Sequence, residues 1–476
     1  MHDGGGATNP VKIFANIFIS FVGAGGLGLP FAFKTAGILE GVLILGFVSV
    51  VSVKAMLMLI DCKYKLEERL DVRRKFKIVS KVKGEDVEEE LLKGVESSEA
   101  SAQNGEASGQ RRKGSDESAS SKNEIDYSDV GFYALGSKGK VIVDISIVVS
   151  QVGFSCAYLI FISSNLVTFV PGLSKNGWIG LMMAPLTLLC LLRHLNRLAI
   201  FSLFADFANM FAYSVVFWFD FEHVQNVRIH PKQMSLVGFP FFLGIAFYCY
   251  EGAGMILALE SSVLASKRPK FRKIFIFALV VVTTLYISFG VCGYLSFGPE
   301  TESIITLNLP EGIIPELVKS CLCFSLFFTY PVMMFPVVVI MENRLLQGTY
   351  KSTSTGNVLR SGMVLLTGIV VILIPNIATL MALVGATCCT LLAFILPGIF
   401  HMRIFQESLT RGQWVFDVFL IVMGIIAACF GTWDALKRLF PGLVPESLIF
   451  LTTSESPATT DDLQALNALM NGTGET

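Results

Sequence analysis

Residues 21–31 read FVGAGGLGLPF. Four glycines, an alanine and a proline interrupt an apolar run that extends from Val11 to Ala36. Inside a helix, glycine costs about 1 kcal/mol and proline about 3 kcal/mol relative to alanine. The run is long enough to cross a ~30 Å hydrocarbon core, yet its weakest helix formers sit at its centre. Unwinding a turn in lipid strands backbone N–H and C=O groups, at several kcal/mol each. Such a break is tolerated only where those groups face a protein cavity and meet a ligand, or where the glycines let two helices approach closely.

The surroundings of this run define the class of protein. Of 476 residues, 53% are hydrophobic and 16% charged, with a net charge of −1, whereas soluble domains carry about 25% charged residues. The densest run of charge lies between Asp61 and Asp126, with 30 of the 75 charged residues. Elsewhere, apolar blocks follow one another near 11–36, 38–62, 138–168, 177–192, 198–219, 236–264, 272–297, 312–342, 358–375, 377–402 and 413–434. These eleven blocks predict an all-α polytopic membrane protein in contact with lipid; barrel strands would alternate in shorter segments. The opening MHDGGGATNP and the long run after it do not read as a cleavable signal peptide. Ten cysteines fall within or at the ends of the blocks without a CxxC pair, so neither a disulfide, a metal site nor a cofactor is expected. No nucleic-acid partner is expected, and the oligomeric state is not legible.

Basic residues orient the chain. With residues 1–10 cytoplasmic, the inner loops hold Arg193, Arg197, Lys267, Arg268, Lys270, Arg272, Lys273, Arg344, Lys351, Arg360, Arg403 and Arg411, and the outer loops hold Lys175, Arg228 and Lys232. The N-inside reading follows. It makes 11–434 the transmembrane domain and 435–476 a non-cytoplasmic tail. The segment 64–126 becomes a cytoplasmic insertion, and its SSEASAQNGEASGQRRKGSDESASSKNE has too little apolar surface to fold.

A second break matches the first. In the sixth block, Tyr250-Glu251-Gly252-Ala253-Gly254 again places glycines at mid-depth, now beside a carboxylate. Breaks in the first and sixth blocks, five apart, point to inverted repeats of five helices, about 11–219 and 236–402. Half-helix N-termini offer positive dipole ends and free N–H groups to an anion, while freed carbonyls suit an ammonium group or a small cation. An α-amino acid carries both charges, and a zwitterion matches that chemistry.

GAGGLGLPFAFKTAG (23–37), SQVGFSCAYLIFISSNL (150–166), FADFANM (204–210), YEGAGMILALE (250–260) and FFTYPVMMFP (327–336) together resemble the amino acid/auxin permease family. The nearest branch is that of plant vacuolar and animal proton-coupled amino acid transporters. The resemblance implies the LeuT-like fold of the amino acid–polyamine–organocation superfamily, with discontinuous first and sixth helices. It also implies amino acid movement linked to H⁺ or Na⁺, in a vacuolar or lysosomal membrane rather than the plasma membrane. One departure concerns a first-helix histidine that some proton-coupled members carry; the matching position here is Asn16. None of the five histidines lies at mid-membrane, so a carboxylate or a hydrated path would have to carry a proton.

The candidate site follows from these two lines. Gly23, Ala24, Gly25 and Gly26 of the first break and Glu251 and Gly252 of the second would meet substrate, with Phe247 and Tyr250 lining the pocket. Glu251 is the leading ion-coupling residue, because a mid-membrane carboxylate is costly and usually functional; capping the unwound turn is its structural alternative. Gln151 and Tyr158 lie seven apart on one helix face, and third-helix hydroxyls reach substrate in the resembled architecture. Ser325 and Thr329 share a face; they would ligate sodium by resemblance, or bond back to their own helix. Glu260 is expected to pair with Lys267 or Arg268, Asp206 to serve an inner gate or packing, and Asp144 to sit at the water interface. The function expected is secondary transport of small neutral amino acids by alternating access. The rivals are sodium coupling and an amino acid sensor using the same site; no catalytic constellation points to an enzyme.

Overall fold

The computed structural model describes residues 9–83, 125–169, 172–192, 199–224, 232–346 and 353–440. Every regular element among them is helical. The chain runs through α1 (Pro10–Phe21), a 3₁₀ turn (Ala24–Gly28), α2 (Leu29–Ala36), α3 (Ile38–Lys83), α4 (Tyr127–Phe169), α5 (Lys175–Cys190) and α6 (Ala199–Val224). It continues through α7 (Phe239–Cys249), α8 (Ala253–Ser261), α9 (Arg268–Phe297), α10 (Ile313–Leu345) and α11 (Thr353–Leu373). Last come α12 (Ile377–Val384), two π-helical turns over Gly385–Cys389 and Leu391–Ile395, α13 (Leu396–Ile404) and α14 (Arg411–Leu439).

Eight of these segments are long and apolar enough to cross a membrane, and the bent pair α1/α2 makes a ninth. The remaining two expected spans correspond to α5, of 16 residues, and α6. Their exposed faces carry large apolar side chains, among them Leu181, Leu188, Phe207 and Trp218, as lipid contact requires.

The packing repeats with an offset of five segments, each interrupted helix counted once. The eighth segment (α10) lies on the fifth (α6), as the third (α4) lies on the tenth (α12/α13). The seventh (α9) packs on the fifth and on the first, as the second (α3) packs on the tenth and on the sixth. Third and eighth, and fourth and ninth, pair with each other. A five-plus-five repeat is the arrangement that produces this pattern, and α14 lies outside it against α7, α12 and α13.

The structure departs from the expected boundaries in two places. Helix α3 continues through Lys83, so residues 64–83 of the segment drawn as an unfolded insertion are helical; 84–124 and the 441–476 tail fall outside the described residues. Upstream of the third span, 127–135 form a helical piece that turns at Gly136 (φ 68°, ψ −155°), a left-handed φ that favours glycine. There Ser128 donates to Asp144 (2.5 Å), and Asp144 pairs with Arg344 of α10 (2.5 Å). Asp144 is therefore a buried ion-pair partner rather than a hydrated interface residue.

Candidate functional site

The first break is held open from outside. Helix α1 starts at Pro10 under the Asn9 side chain, which accepts from Val11 N–H at 3.0 Å. It stops at Phe21, after which Gly23 is extended (φ −118°, ψ −171°). The two carbonyls here accept tyrosines of neighbouring helices as well as the turn's own Gly23 and Gly26 N–H groups: Tyr286 of α9 donates to Phe21 O at 2.5 Å, and Tyr213 of α6 donates to Gly23 O at 2.6 Å. Both rings are buried. A Cβ on Gly26 would strike the Tyr213 hydroxyl and the Tyr286 ring, and one on Gly25 would sit 3.1 Å from the Tyr248 ring. On Gly23 a Cβ would meet nothing within 4 Å. The backbone at Gly23 therefore borders open space. The side chain of Ala24 lies outside the described residues.

The second break carries the charge. Helix α7 ends at Cys249 and α8 resumes at Ala253, with Tyr250, Glu251 and Gly252 between them. Glu251 is buried; its Oε1 accepts the Gly254 N–H at 3.2 Å, capping the first turn of α8, and its Oε2 has no hydrogen-bond partner. Buried polar atoms are seldom left unbonded, so this oxygen marks a place for a proton, an ammonium group or water. Tyr250 turns away: its hydroxyl donates to Thr283 Oγ1 at 2.8 Å, which also bonds Ser49 at 2.7 Å, and its ring stands edge-on to Tyr286.

The two breaks touch. A Cβ on Gly252 would run into the Phe21 ring and lie 3.2 Å from Met56 Sδ. Glycine is required here by this approach rather than by its φ of −147°.

The other candidates divide. Gln151 presents a buried Oε1 without a partner, and the buried Tyr158 lies close enough to interact electrostatically with Tyr213 and Tyr248. Tyr213 in turn bonds Gly23 O, which brings Tyr158 near the first break. Phe247 packs against Phe394 at 4.8 Å and lines an apolar crevice with Leu43, Met423 and Phe430. Ser325 donates to Ala205 O at 3.1 Å across to α6, and Thr329 bonds back to Ser325 O at 2.9 Å. Both hydroxyls are thus engaged with carbonyls. Asp206's side chain lies outside the described residues. No group of three or more His, Cys, Asp or Glu side chains that could hold a metal occurs among the described residues.

Below the second break, Glu260 is fully buried at the end of α8. It pairs with Lys63 of α3 at 2.6 Å and with Arg268 at 3.4 Å, and it accepts from the Tyr64 hydroxyl. The Arg268 partner agrees with expectation. Lys63 was unforeseen: it lies one residue past the end drawn for the second block and is itself fully buried. Sequence reasoning also passed over Tyr213, Tyr286 and Thr283. Their only signal was a polar atom on the buried face of an apolar helix. The π turns of the tenth segment were equally unmarked, although they bring Gly385 against the Gly244 carbonyl of α7.

Two interrupted helices meeting at a buried carboxylate, within a five-plus-five repeat, define an integral-membrane transporter. The transmembrane amino acid transporter family model matches residues 6–86 and 112–437, and the chain belongs to that family, whose members are transporters and not enzymes. It is 34% identical over 453 residues to the amino acid transporter AVT3C of Arabidopsis thaliana, covering 90% of this chain and 91% of that one. Identity to the amino acid transporter ANT1 of the same plant is 32% over 455 residues, covering 91% and 93%. Among solved structures it is similar to a Na⁺-coupled sialic acid symporter in a substrate-bound outward-open state, with a TM-score of 0.48, 11% identity and 91% of each chain covered.

Proposed function

We propose that this protein is a secondary active transporter of small neutral amino acids, driven by protons and working by alternating access. The observation that carries the reading is the contact between the two breaks at Gly252 and Phe21, with Glu251 Oε2 unpartnered beside it. The open backbone at Gly23 and the α8 N-terminus would receive the substrate carboxylate. Glu251 would exchange the coupling proton or receive the substrate ammonium, and Gln151 and Tyr158 would complete the first-break wall. Small neutral substrates are favoured because Glu251 is the one Asp, Glu, Lys, Arg or His side chain within the described residues of either break.

Proton coupling is preferred to sodium because Glu251 Oε2, buried without a hydrogen-bond partner, can take a proton with no further ligand. The N-inside orientation, eleven spans including α5 and α6, and a vacuolar or lysosomal membrane, as the resemblance to the amino acid/auxin permease family implies, complete the proposal.

The test is uptake of radiolabelled alanine or proline by the purified protein in liposomes under an imposed pH gradient. Accumulation that collapses with the gradient is expected. Binding without movement under either a proton or a sodium gradient would sink the transporter reading, and movement under sodium alone would sink proton coupling.

A further inference from the structure

A second carboxylate in the membrane domain is left unused by this account. Asp220, in the last turns of α6, is fully buried, and neither of its carboxylate oxygens has a hydrogen-bond partner. Its backbone carbonyl accepts from Ser296 of α9 at 2.5 Å, which fixes α6 against that helix. A Cβ added to Gly293 of α9 would lie 3.2 Å from Asp220 Oδ2, and the same Cβ would press on the Pro30 ring at 2.6 Å from Cγ. Asp220, Gly293 and Pro30 therefore share one contact. It joins α6 and α9 to α2, the outer half of the interrupted first helix.

The surroundings decide what this group can bind. Among the described residues, Cys292 is the titratable side chain of α9 that interacts with it; the side chain of His223, one turn further along α6, lies outside the described residues. Lys34 of α2 directs its ammonium to Thr301 O at 3.1 Å instead. Glu316 and Lys319 near the start of α10 interact with each other and not with Asp220. On its own helix, Tyr213 is committed to Gly23 O, and Glu222 is exposed. A hard metal cation gathers several oxygen ligands, whereas both Asp220 oxygens are without a hydrogen-bond partner, Gly293 lies beside Oδ2, and Cys292 is near enough to interact with it. A charged carboxylate without a partner is not sustained in such a site. A proton is the one ligand that needs no further donors.

We propose that Asp220 is a second proton-binding site of the transporter, set on the non-cytoplasmic side and closed by the outer half of the first helix through Gly293. Movement of α2 away from α9 admits water to the carboxyl and lets the proton exchange with that side; return of α2 seals it in. The proposal rests on the proton-coupled reading above and assigns to Asp220 a step distinct from that of Glu251.

The experiment pairs transport with spectroscopy on the full-length protein in liposomes. Protons carried per alanine are read with a pH-sensitive dye for wild type, Asp220→Asn and Asp220→Glu. Infrared difference spectra between acid and alkaline buffer are recorded on the same three proteins. Asp220→Asn is expected to lose the dependence of uptake on the outer pH and to lose a protonated-carboxyl band present in wild type. Asp220→Glu, which restores a carboxyl, is expected to recover both. A wild-type proton ratio in Asp220→Asn, or an unaltered band, overturns the proposal. If wild type moves alanine without protons, the proton-coupled reading fails instead. The band then tests Asp220 alone, and its absence from wild type at every pH overturns the site.

Discussion

The two breaks solve the same backbone problem by different means. At the first, the freed carbonyls of Phe21 and Gly23 accept hydroxyls from α9 and α6, so the unwound turn is satisfied by neutral neighbours on helices of both repeats. At the second, the chain supplies its own cap, Glu251 Oε1, and keeps a spare oxygen. The half-helix beyond it is tied down at its far end by Lys63, Tyr64 and Arg268 around Glu260. One break is held by neutral hydrogen bonds and the other by charge. The lesson is that an interrupted helix can be stable with its backbone satisfied while leaving one ionisable atom unsatisfied, and that atom is where ion coupling has room to act.

The sharpest way to break this comparison is at its ionic end. Lys63→Met should leave Glu260 buried with too little positive charge around it and cost about 3–5 kcal/mol, read as a large fall in thermal stability in detergent. Adding Glu260→Gln to the same protein should restore much of that loss, whereas a double variant no better than the single would remove the ion pair from the account. Next in size is the contact between the breaks. Gly252→Ala drives a methyl into the Phe21 ring, and overpacking of this kind costs about 1–3 kcal/mol. Uptake should fall with it, and Phe21→Leu in the same protein should relieve part of the defect.

The neutral end should be softer. Tyr286→Phe leaves the Phe21 carbonyl with the Gly23 N–H at 2.9 Å, and Tyr213→Phe leaves the Gly23 carbonyl with the Gly26 N–H at 3.3 Å; each loses one hydrogen bond, at about 0.5–1.5 kcal/mol. Melting curves that do not move in either variant would show that water replaces the hydroxyls. Glu251→Gln should change stability least, because the amide oxygen can keep the Gly254 bond. Its effect should appear in transport, as loss of accumulation driven by a pH gradient. An unaltered pH dependence would take Glu251 out of the coupling step.

Much of this was legible in the sequence because lipid imposes simple rules. Apolar length located the helices, so the ends drawn at 377–402 and 272–297 fall within a few residues of Ile377–Ile404 and Arg268–Phe297. Errors arose where charge and helix coincide. Lys63 and Asp220 each lie one residue beyond a drawn boundary, because a window that rewards apolarity ends where charged side chains begin to accumulate. In the fold both are fully buried and inside continuous helices. Phe247 shows the converse limit. Its neighbours on the sixth segment point to a pocket, but helix rotation turns its ring to Phe394 and the apolar crevice.

The sequence by itself determined the helical membrane class, the two breaks, their separation by five spans, and a carboxylate at the second. Each of these is a one-dimensional property, readable as length, composition or spacing along the chain. Only the tertiary structure decided which groups satisfy the freed carbonyls, that Gly252 meets Phe21, that Glu260 pairs with Lys63, and that the Asp220 carboxylate stands unpartnered beside Gly293, against which Pro30 of α2 also packs. The physical reason is that a hydrogen bond or ion pair depends on which helix faces project to one point. Tyr286 and Phe21 are 265 positions apart, and no local pattern records that they meet.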